Sequence, residues 1–221
     1  MAQLAFALAL YLLGIGILGL AAFPGVLFVW TVWKATATCA TLLRLLWLCL
    51  SAASAYFVFG ITLIGIVGAL RILLRLNLRA GEFPMISPGA AKWAITNALV
   101  LVVTITFIDF ILITPLAPFF WRLMGAQVGR NVQINSKFCA DLSLMEIGDN
   151  AVIGGHATVI CHSFERHRLI LRRVKVGKGA IIGLNAVVFP GAEIGEGATV
   201  AAGAIVPKDA KVPPHTTYLG V

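Results

Sequence analysis

The side chains best suited to chemistry lie together in residues 161–169, which read Cys-His-Ser-Phe-Glu-Arg-His-Arg-Leu. His162 is the strongest candidate for a general base, because an imidazole with an ordinary pKa of about 6.5 can accept a proton near neutral pH. Glu165 could fix the tautomer of His162. Asp141, from an earlier segment, could instead orient His162 from a neighbouring subunit. These residue types predict proton transfer to or from a substrate.

Residues of the same segment could support two other chemistries, covalent catalysis and zinc binding. Cys161 could carry a group covalently, but its only activating neighbour, His162, would point elsewhere from an extended chain. His156, His162 and His167 could bind zinc, but two nearby loop residues and one coil residue seldom give tetrahedral geometry. We therefore expect no metal. We expect His156 and His215 to be structural and His167 to be a solvated loop residue.

A six-residue repeat must position these side chains. Between residues 176 and 212 an aliphatic residue occupies every sixth position, and alanine follows four residues after each of the first six. Helices and strands have side-chain periods of 3.6 and 2, so neither explains this spacing. A parallel β-helix does, with one short strand and one corner per repeat. The aliphatic members are Val176, Ile182, Val188, Ile194, Val200, Val206 and Val212.

The repeat also extends towards the N-terminus, with two interruptions. Val128 and Ile134 keep the spacing, which resumes at Ile147 after a slip of one residue. The coils of such a β-helix form a triangular prism with the aliphatic side chains inside. The second interruption coincides with residues 161–169, which we expect to leave this prism as a loop, where functional sites tend to collect. The pattern predicts about five coils that begin near residues 125–128.

The N-terminal half is too apolar for an ordinary soluble domain. The 221 residues are 60% hydrophobic and 12% charged, with a mean hydropathy of +0.96. Residues 1–33 and 45–70 contain no charge, and each run exceeds the roughly 20 residues that cross a bilayer. A cleaved signal peptide fits the first run poorly, because it lacks a basic start and is too long. We predict a helical hairpin over residues 4–33 and 41–74, with a kink or break at Pro24.

A third apolar segment, residues 93–121, is interrupted by Asp109 and Pro115. Basic residues on both sides of it favour a re-entrant or in-plane segment broken at Pro115, with both of its ends cytoplasmic; a plain third span is the alternative. We expect residues 76–88 to be a linker on the bilayer surface. The sequence thus predicts a membrane domain over residues 1–122 and a cytoplasmic β-helix domain over residues 123–221, held at the inner or plasma membrane.

The net charge of +8 is concentrated beside the apolar segments and near the polar loop. Such clusters are typical of positive-inside signals and contacts with anionic headgroups, and no motif indicates nucleic-acid binding. The four cysteines form no CxxC pair, which favours free thiols over a disulfide framework.

Residues 147–221 resemble the hexapeptide-repeat acyltransferases, a left-handed β-helix family. The matching pieces include Ile-Gly-Asp-Asn-Ala-Val from residue 147, Val-Gly-Lys-Gly-Ala-Ile-Ile-Gly from residue 176 and Val-Pro-Pro-His-Thr-Thr-Tyr-Leu-Gly-Val from residue 212. The resemblance implies a homotrimer with active sites between neighbouring prisms and acetyl-CoA or another acyl-CoA as co-substrate. It places His162 at the family's catalytic position. It also implies that CoA lies along the later coils, at Leu184, Asn185, Ala202, Gly203 and Lys208.

A looser resemblance joins the whole arrangement to the membrane-linked C-terminal part of poly-lysine-synthetase-type enzymes. The hexapeptide family usually continues after Gly-Val with Pro-Ala and a basic residue, so either the chain is truncated or Lys208 and Lys211 meet the CoA phosphates.

Together these features predict a membrane-anchored, acyl-CoA-dependent acyltransferase acting on a hydroxyl or amine of a lipid-linked or membrane-proximal acceptor. The alternatives are a trimeric β-helix zinc enzyme of the carbonic anhydrase type and a non-catalytic trimeric membrane scaffold.

Overall fold

The computed structural model of the chain describes residues 2–220 and divides into two compact units between residues 70 and 71. The first unit is built from helices α1 (Ala2–Ala35) and α2 (Thr41–Leu73), whose ends match the predicted hairpin closely. Helix α1 continues through Pro24, where the sequence suggested a kink or break. By length and composition alone, α1, α2 and the later helix α3 (Pro88–Thr106) could each cross a membrane.

Basic and aromatic side chains pair where the first two helices meet. The ammonium of Lys34 lies 3.7 Å from the ring centre of Trp30, and the guanidinium of Arg44 lies 3.8 Å from that of Trp33. Cations over indole rings are attracted by the ring quadrupole. Tryptophan and basic residues are typical of the membrane–water boundary, so this end of the hairpin has the composition of an interface.

The second unit opens with strand β1 (Gly81–Pro84), followed by α3, a short 3-10 helix (Ile108–Phe110) and helix α4 (Leu116–Leu123). The segment expected to lie on the bilayer as a linker therefore contains a strand. The third apolar segment is interrupted earlier than expected, since α3 already ends at Thr106 and the next helix begins directly after Pro115.

The remaining strands are short and wind into a left-handed parallel β-helix of five coils, the last one partial. One sheet has the order β15-β12-β9-β4-β2, the second β16-β13-β10-β5-β3 and the third β14-β11-β6. The strands are β2 (Gln127–Val128), β3 (Gln133–Ile134), β4 (Met145–Ile147), β5 (Val152–Ile153), β6 (Thr158–Val159), β7 (His162–Glu165), β8 (Arg168–Leu171), β9 (Val174–Val176), β10 (Ile181–Ile182), β11 (Val187–Val188), β12 (Glu193–Ile194), β13 (Thr199–Val200), β14 (Ile205–Val206), β15 (Lys211–Val212) and β16 (Thr217–Tyr218).

The repeat residues fill the prism as the sequence predicted. Ile182, Val188 and Val200 are completely buried, as are the corner alanines Ala186 and Ala198. Each parallel strand hydrogen-bonds the equivalent strand of the next coil, so Ile182 stacks on Val200 and Val188 on Val206, eighteen residues later. Close packing of this kind leaves no room for a larger corner residue, which explains the strict alanine register.

The one-residue slip after Ile134 is absorbed at a corner of the first coil. Asp141 has a left-handed backbone with φ of +63°, and a 3-10 turn (Leu142–Leu144) follows it. Just before the slip, Cys139 forms a bridge with Val159, which completes the third face of that coil. The extra residue therefore leaves the core unchanged and moves Asp141 out of the regular register.

The segment predicted to be a loop is a β-hairpin. Strands β7 and β8 pair so that Glu165 lies opposite Arg168, leaving only Arg166 and His167 in the turn. Both turn residues have positive φ, as a type I′ turn requires. Strand β1 adds to the other edge of β8, which makes a three-stranded antiparallel sheet outside the prism.

This extra strand and α3 move the boundary between the two parts of the molecule. Residues 71–122, which the sequence grouped with the membrane helices, belong to the same compact unit as the β-helix. The physical reason is that β1 completes the hairpin sheet and α3 hydrogen-bonds to the first coil.

Candidate active site

A histidine–aspartate pair lies where the hairpin leaves the prism. Nδ1 of His162 is 2.6 Å from Oδ2 of Asp141, whose side chain is completely buried, while the imidazole is 21% exposed. Both residues belong to one chain, so Asp141 reaches His162 from the preceding coil and needs no neighbouring subunit. An imidazole that donates its Nδ1 hydrogen to a carboxylate keeps its lone pair on Nε2. In that tautomer Nε2 of His162 could accept a proton, as a general base does.

Four donors converge on the Asp141 carboxylate. Oδ1 accepts from Nε1 of Trp93 at 2.7 Å and from Nδ2 of Asn97 at 2.8 Å. Oδ2 accepts from the backbone N–H of Cys161 at 3.2 Å as well as from His162. A buried charge is tolerated only when it is hydrogen-bonded and paired. The arrangement satisfies both oxygens and fixes the carboxylate in one orientation.

The first residues of the second unit orient helix α3 towards this site. Ser87 caps the helix, because its hydroxyl accepts from the backbone N–H of Ala90 at 3.2 Å and donates to the carbonyl of Pro84 at 2.7 Å. Strand β1 ends at Pro84, so the cap joins the hairpin sheet directly to the helix. Trp93 and Asn97 then face the same side, one turn apart.

Aromatic rings surround the imidazole. The centre of the Trp93 indole lies 5.0 Å from that of His162 and 5.4 Å from that of Phe164, in both cases edge to face. Phe164 also lies 5.6 Å from His162 and is half exposed. These contacts restrict rotation of the imidazole and make one side of the site apolar.

Cys161 has the wrong environment for a nucleophile. The residue is completely buried, and burial, followed by the nearby Asp141 carboxylate, raises the pKa of its thiol well above the ordinary value. The neutral thiol is a poor nucleophile. Its contribution to the site is the backbone N–H that donates to Asp141.

Glu165 does not orient His162, contrary to the sequence-based suggestion. Its carboxylate pairs with the ammonium of Lys208 and accepts from the hydroxyl of Ser163 at 3.1 Å. The hydrogen bond from Lys208, followed by that from Ser163, lowers the pKa of Glu165. The ion pair between Glu165 and Lys208 therefore links the hairpin to the fourth coil. A second ion pair joins Arg172 to Asp209 at 2.7 Å.

The residues expected to bind CoA divide between two corners of the prism. Leu184 and Asn185 lie in one turn and Ala202 and Gly203 in the equivalent turn of the next coil, where the N–H of Gly203 donates to the carbonyl of Leu184 at 2.8 Å. We call this stack of turns, residues 154–157, 183–186 and 201–204, the Asn185 corner. Lys208 lies outside it.

Lys208 belongs to the corner that carries the histidine. We call this stack, residues 140–144, 160–173, 189–192 and 207–210, the His162 corner. The backbone N–H of Asp209 donates to the carbonyl of Pro190 at 3.1 Å, which links its last two turns. Lys208 is two coils beyond His162, about 10 Å along the axis at the usual spacing of neighbouring strands.

The other histidines lie apart from the pair. His156, His167 and His215 each occupy a turn position with positive φ, and the ring of His156 lies 5.8 Å from that of Phe138. Among residues 2–220, no three histidine, cysteine or acidic side chains are grouped so that they could hold a metal ion.

Trp93 and Asn97 are the site residues that the sequence analysis missed. A polar residue one turn after a tryptophan, in a helix that is otherwise mostly apolar, was the available signal. It could not be interpreted alone, because the partner of Asn97 lies 44 residues away.

Comparison with known proteins agrees with the repeat. Residues 173–208 match the family model described as the hexapeptide repeat of succinyl-transferase. The delta-poly-L-ornithine synthetase of Acinetobacter baumannii is 24% identical over 82 residues, which are 37% of this chain and 6% of that protein. The chain thus spans a small fraction of the length of that curated relative.

Two solved structures are similar to this chain at low sequence identity. A maltose O-acetyltransferase from Clostridium difficile is 17% identical, with 64% of this chain and 88% of that chain covered and a TM-score of 0.46. A hexapeptide-repeat acetyltransferase from Vibrio cholerae, complexed with acetyl-CoA, is 18% identical, with 65% and 91% covered and a TM-score of 0.49. The match over residues 173–208 falls within the buried six-residue register, so the C-terminal part of this chain is similar to hexapeptide-repeat proteins in both sequence pattern and fold.

Proposed function

We propose that this chain is an acyl-CoA-dependent acyltransferase, with acetyl-CoA as the simplest donor. The observation that carries the proposal is the buried Asp141 carboxylate holding Nδ1 of His162 at a corner of a hexapeptide β-helix. An acyl transfer needs a base of this kind, because a neutral hydroxyl or amine attacks a thioester poorly until its proton is removed.

The chemistry follows from the tautomer. Nε2 of His162 takes the proton from the acceptor while the acceptor oxygen or nitrogen attacks the thioester carbonyl. The carbon–sulfur bond then breaks, and the imidazolium returns the proton to the leaving CoA thiolate. The carboxylate of Asp141 stabilises the imidazolium, and a backbone N–H of a neighbouring coil can meet the developing oxyanion.

The two corners suggest how the donor is held. In a homotrimer of prisms, the Asn185 corner of one subunit and the His162 corner of the next would border one cleft, and CoA would extend between them. Lys208 can then meet a CoA phosphate, provided that the phosphate displaces the exposed carboxylate of Glu165. Exposed ion pairs are weak enough to permit this exchange.

An apolar stripe supports a lipid-linked acceptor. Trp93, Asn97, Leu101 and Ile105 follow one another at four-residue spacing along α3, and the last two are 55% and 71% exposed. Residues at this spacing lie on one gradually turning face of a helix. The stripe therefore leads from the support of His162 to uncovered apolar surface, where the hydrocarbon part of an acceptor can lie.

The apolar helices support a location in the inner or plasma membrane. Within residues 2–220, three helices are long and apolar enough to span a bilayer. The basic residues in the last turn of α2 and after it favour a cytoplasmic position for the β-helix by the positive-inside rule, and they include Arg71, Arg75, Arg79 and Lys92.

The test uses detergent-purified protein, acetyl-CoA and a total membrane-lipid extract, with mass spectrometry to find lipids that gain an acetyl group. The wild-type chain should produce acetylated lipid and free CoA. His162→Ala should abolish both, whereas His167→Asn, at a turn position where asparagine is tolerated, should keep the wild-type rate. Full turnover by His162→Ala would contradict the assignment of the base, and absence of any CoA release with wild-type protein would contradict the proposed activity.

A further inference from the structure

We infer that Trp93 and Asn97 of helix α3 are positioning residues that hold Asp141, and through it His162, in the geometry needed for proton transfer. The inference deepens the proposed function and rests on it. It assigns part of the active site to a helix outside the β-helix. That helix is also one of the three long enough to cross a membrane.

Asn97 clamps Asp141 at two points. Its Nδ2 donates to Oδ1 of Asp141 at 2.8 Å, and its Oδ1 accepts from the backbone N–H of the same residue at 3.3 Å. Asp141 has a φ of +63°, a left-handed conformation that is uncommon outside glycine and that aspartate tolerates better than most residues. A single amide side chain thus holds both the carboxylate and the unusual backbone of Asp141.

Trp93 contacts both members of the pair. Its indole N–H donates to Oδ1 of Asp141 at 2.7 Å, and its ring lies 5.0 Å from the imidazole of His162. The indole N–H opposes rotation of the Asp141 carboxylate, because it holds Oδ1 in place and so keeps Oδ2 facing Nδ1 of His162. The ring opposes rotation of the imidazole itself. Packing of α3 is supplied by other residues, since the buried apolar members of the helix are Ala90, Leu99, Val100 and Val103.

The deciding variants remove polar atoms, and Asn97→Leu also keeps the size of the side chain. Asn97→Leu removes the donor and the acceptor, and Trp93→Phe keeps an aromatic ring against His162 but removes the N–H. Each should lower kcat for acetyl-CoA-dependent transfer to the lipid extract about tenfold, the effect expected for losing a hydrogen bond to a charged group, with KM for acetyl-CoA unchanged. Thr104→Val, on the same helix, removes only a bond to the carbonyl of Val100 and should leave kcat unchanged.

A double-mutant cycle separates positioning from folding. A residue that acts only through the Asp141 carboxylate has no further effect once that carboxylate is removed. Adding Asn97→Leu to Asp141→Asn should therefore not lower kcat any further. An equal fall in both backgrounds, or wild-type kcat in both single variants, would overturn the inference.

A second readout needs no substrate. Nε2 of His162 should react with diethyl pyrocarbonate faster than the exposed His215, because the pair holds its lone pair available; peptide mapping distinguishes the two sites. Asn97→Leu and Trp93→Phe should slow modification of His162 severalfold and leave His215 unchanged. If the wild-type chain showed no transferase activity, the proposed function would fail, whereas the positioning inference would stand or fall on this ratio: an unchanged ratio would refute it.

Discussion

Replacing Asp141 by asparagine is the most incisive perturbation, because four donors converge on its two oxygens. An asparagine side chain has one oxygen and one NH2 group, so two donors must face the NH2 group whichever way the amide is turned. If the oxygen stays with Trp93 and Asn97, the NH2 group opposes the N–H of Cys161 and donates to Nδ1 of His162. The imidazole then takes the other tautomer, with its hydrogen on Nε2, and can no longer accept the acceptor's proton.

The kinetic consequence should be large and confined to the chemical step. Tautomer reversal in a histidine–aspartate pair lowers turnover by about 10³- to 10⁴-fold, so we expect a fall of that order in kcat with little change in KM for acetyl-CoA. Stability should change far less, because losing the hydrogen bond from Cys161, worth about 1.5–3 kcal/mol, is offset by no longer burying a charge. The fall in kcat, and not a fall in folded protein, is the predicted signature.

The assay is the initial rate of CoA release at saturating acetyl-CoA, with the lipid extract as acceptor and the folded fraction checked by thermal melting. Asp109→Asn is the matched control, since that carboxylate is 58% exposed and pairs with Lys137 at 2.7 Å. Exposed pairs contribute little, so this control should stay within twofold of wild type. Turnover by Asp141→Asn within tenfold of wild type would refute the assigned role of the carboxylate.

Three further predictions follow from charge, burial and packing. Glu165→Gln should lower the melting temperature at pH 7. The difference should shrink once the pH falls below the unfolded value of about 4.3, and it should vanish as the pH passes the lowered pKa of Glu165, where the carboxylate paired with Lys208 becomes protonated. The thiol of Cys161 should resist N-ethylmaleimide at pH 8, and its contribution to stability should decline above the unfolded value of about 8.5, because its raised pKa keeps it protonated only in the folded chain. Gly183→Ala should cost about 1–3 kcal/mol in unfolding experiments, since the new Cβ would lie 2.6 Å from the backbone nitrogen of Ala202.

Each of these has a matched comparison in the chain. Glu193, which faces two lysines at 3.7–3.9 Å on the outer face, tests the effect of removing an exposed carboxylate away from the hairpin. Cys39, half-buried between α1 and α2, should be alkylated under conditions that leave Cys161 intact. Gly179→Asn, at a positive φ with open space around it, should be tolerated better than Gly183→Ala. Equal effects within any of these pairs would contradict the structural reasoning.

The location of the candidate base was predictable because an interruption in a regular repeat marks where the chain leaves the prism. The hairpin that fills the interruption was not predictable from its turn, since Arg166 and His167 lack the Asn-Gly signature typical of a type I′ turn. The third strand of that sheet was harder still, because β1 pairs with a strand more than 80 residues later. Local sequence carries no signal for such a pairing.

The sequence by itself determined the two architectures of this protein. A side-chain period of six can be buried only by a chain that coils once per eighteen residues, and uncharged runs of more than 25 residues can be satisfied only by long apolar helices. Tertiary structure decided the chemistry, namely that Asp141 rather than Glu165 holds His162. That choice depends on a one-residue slip that turns Asp141 to a left-handed backbone and on α3 bringing Trp93 and Asn97 against it. Both are contacts between segments distant in sequence, and their geometry exists only once the coils and the helix have packed.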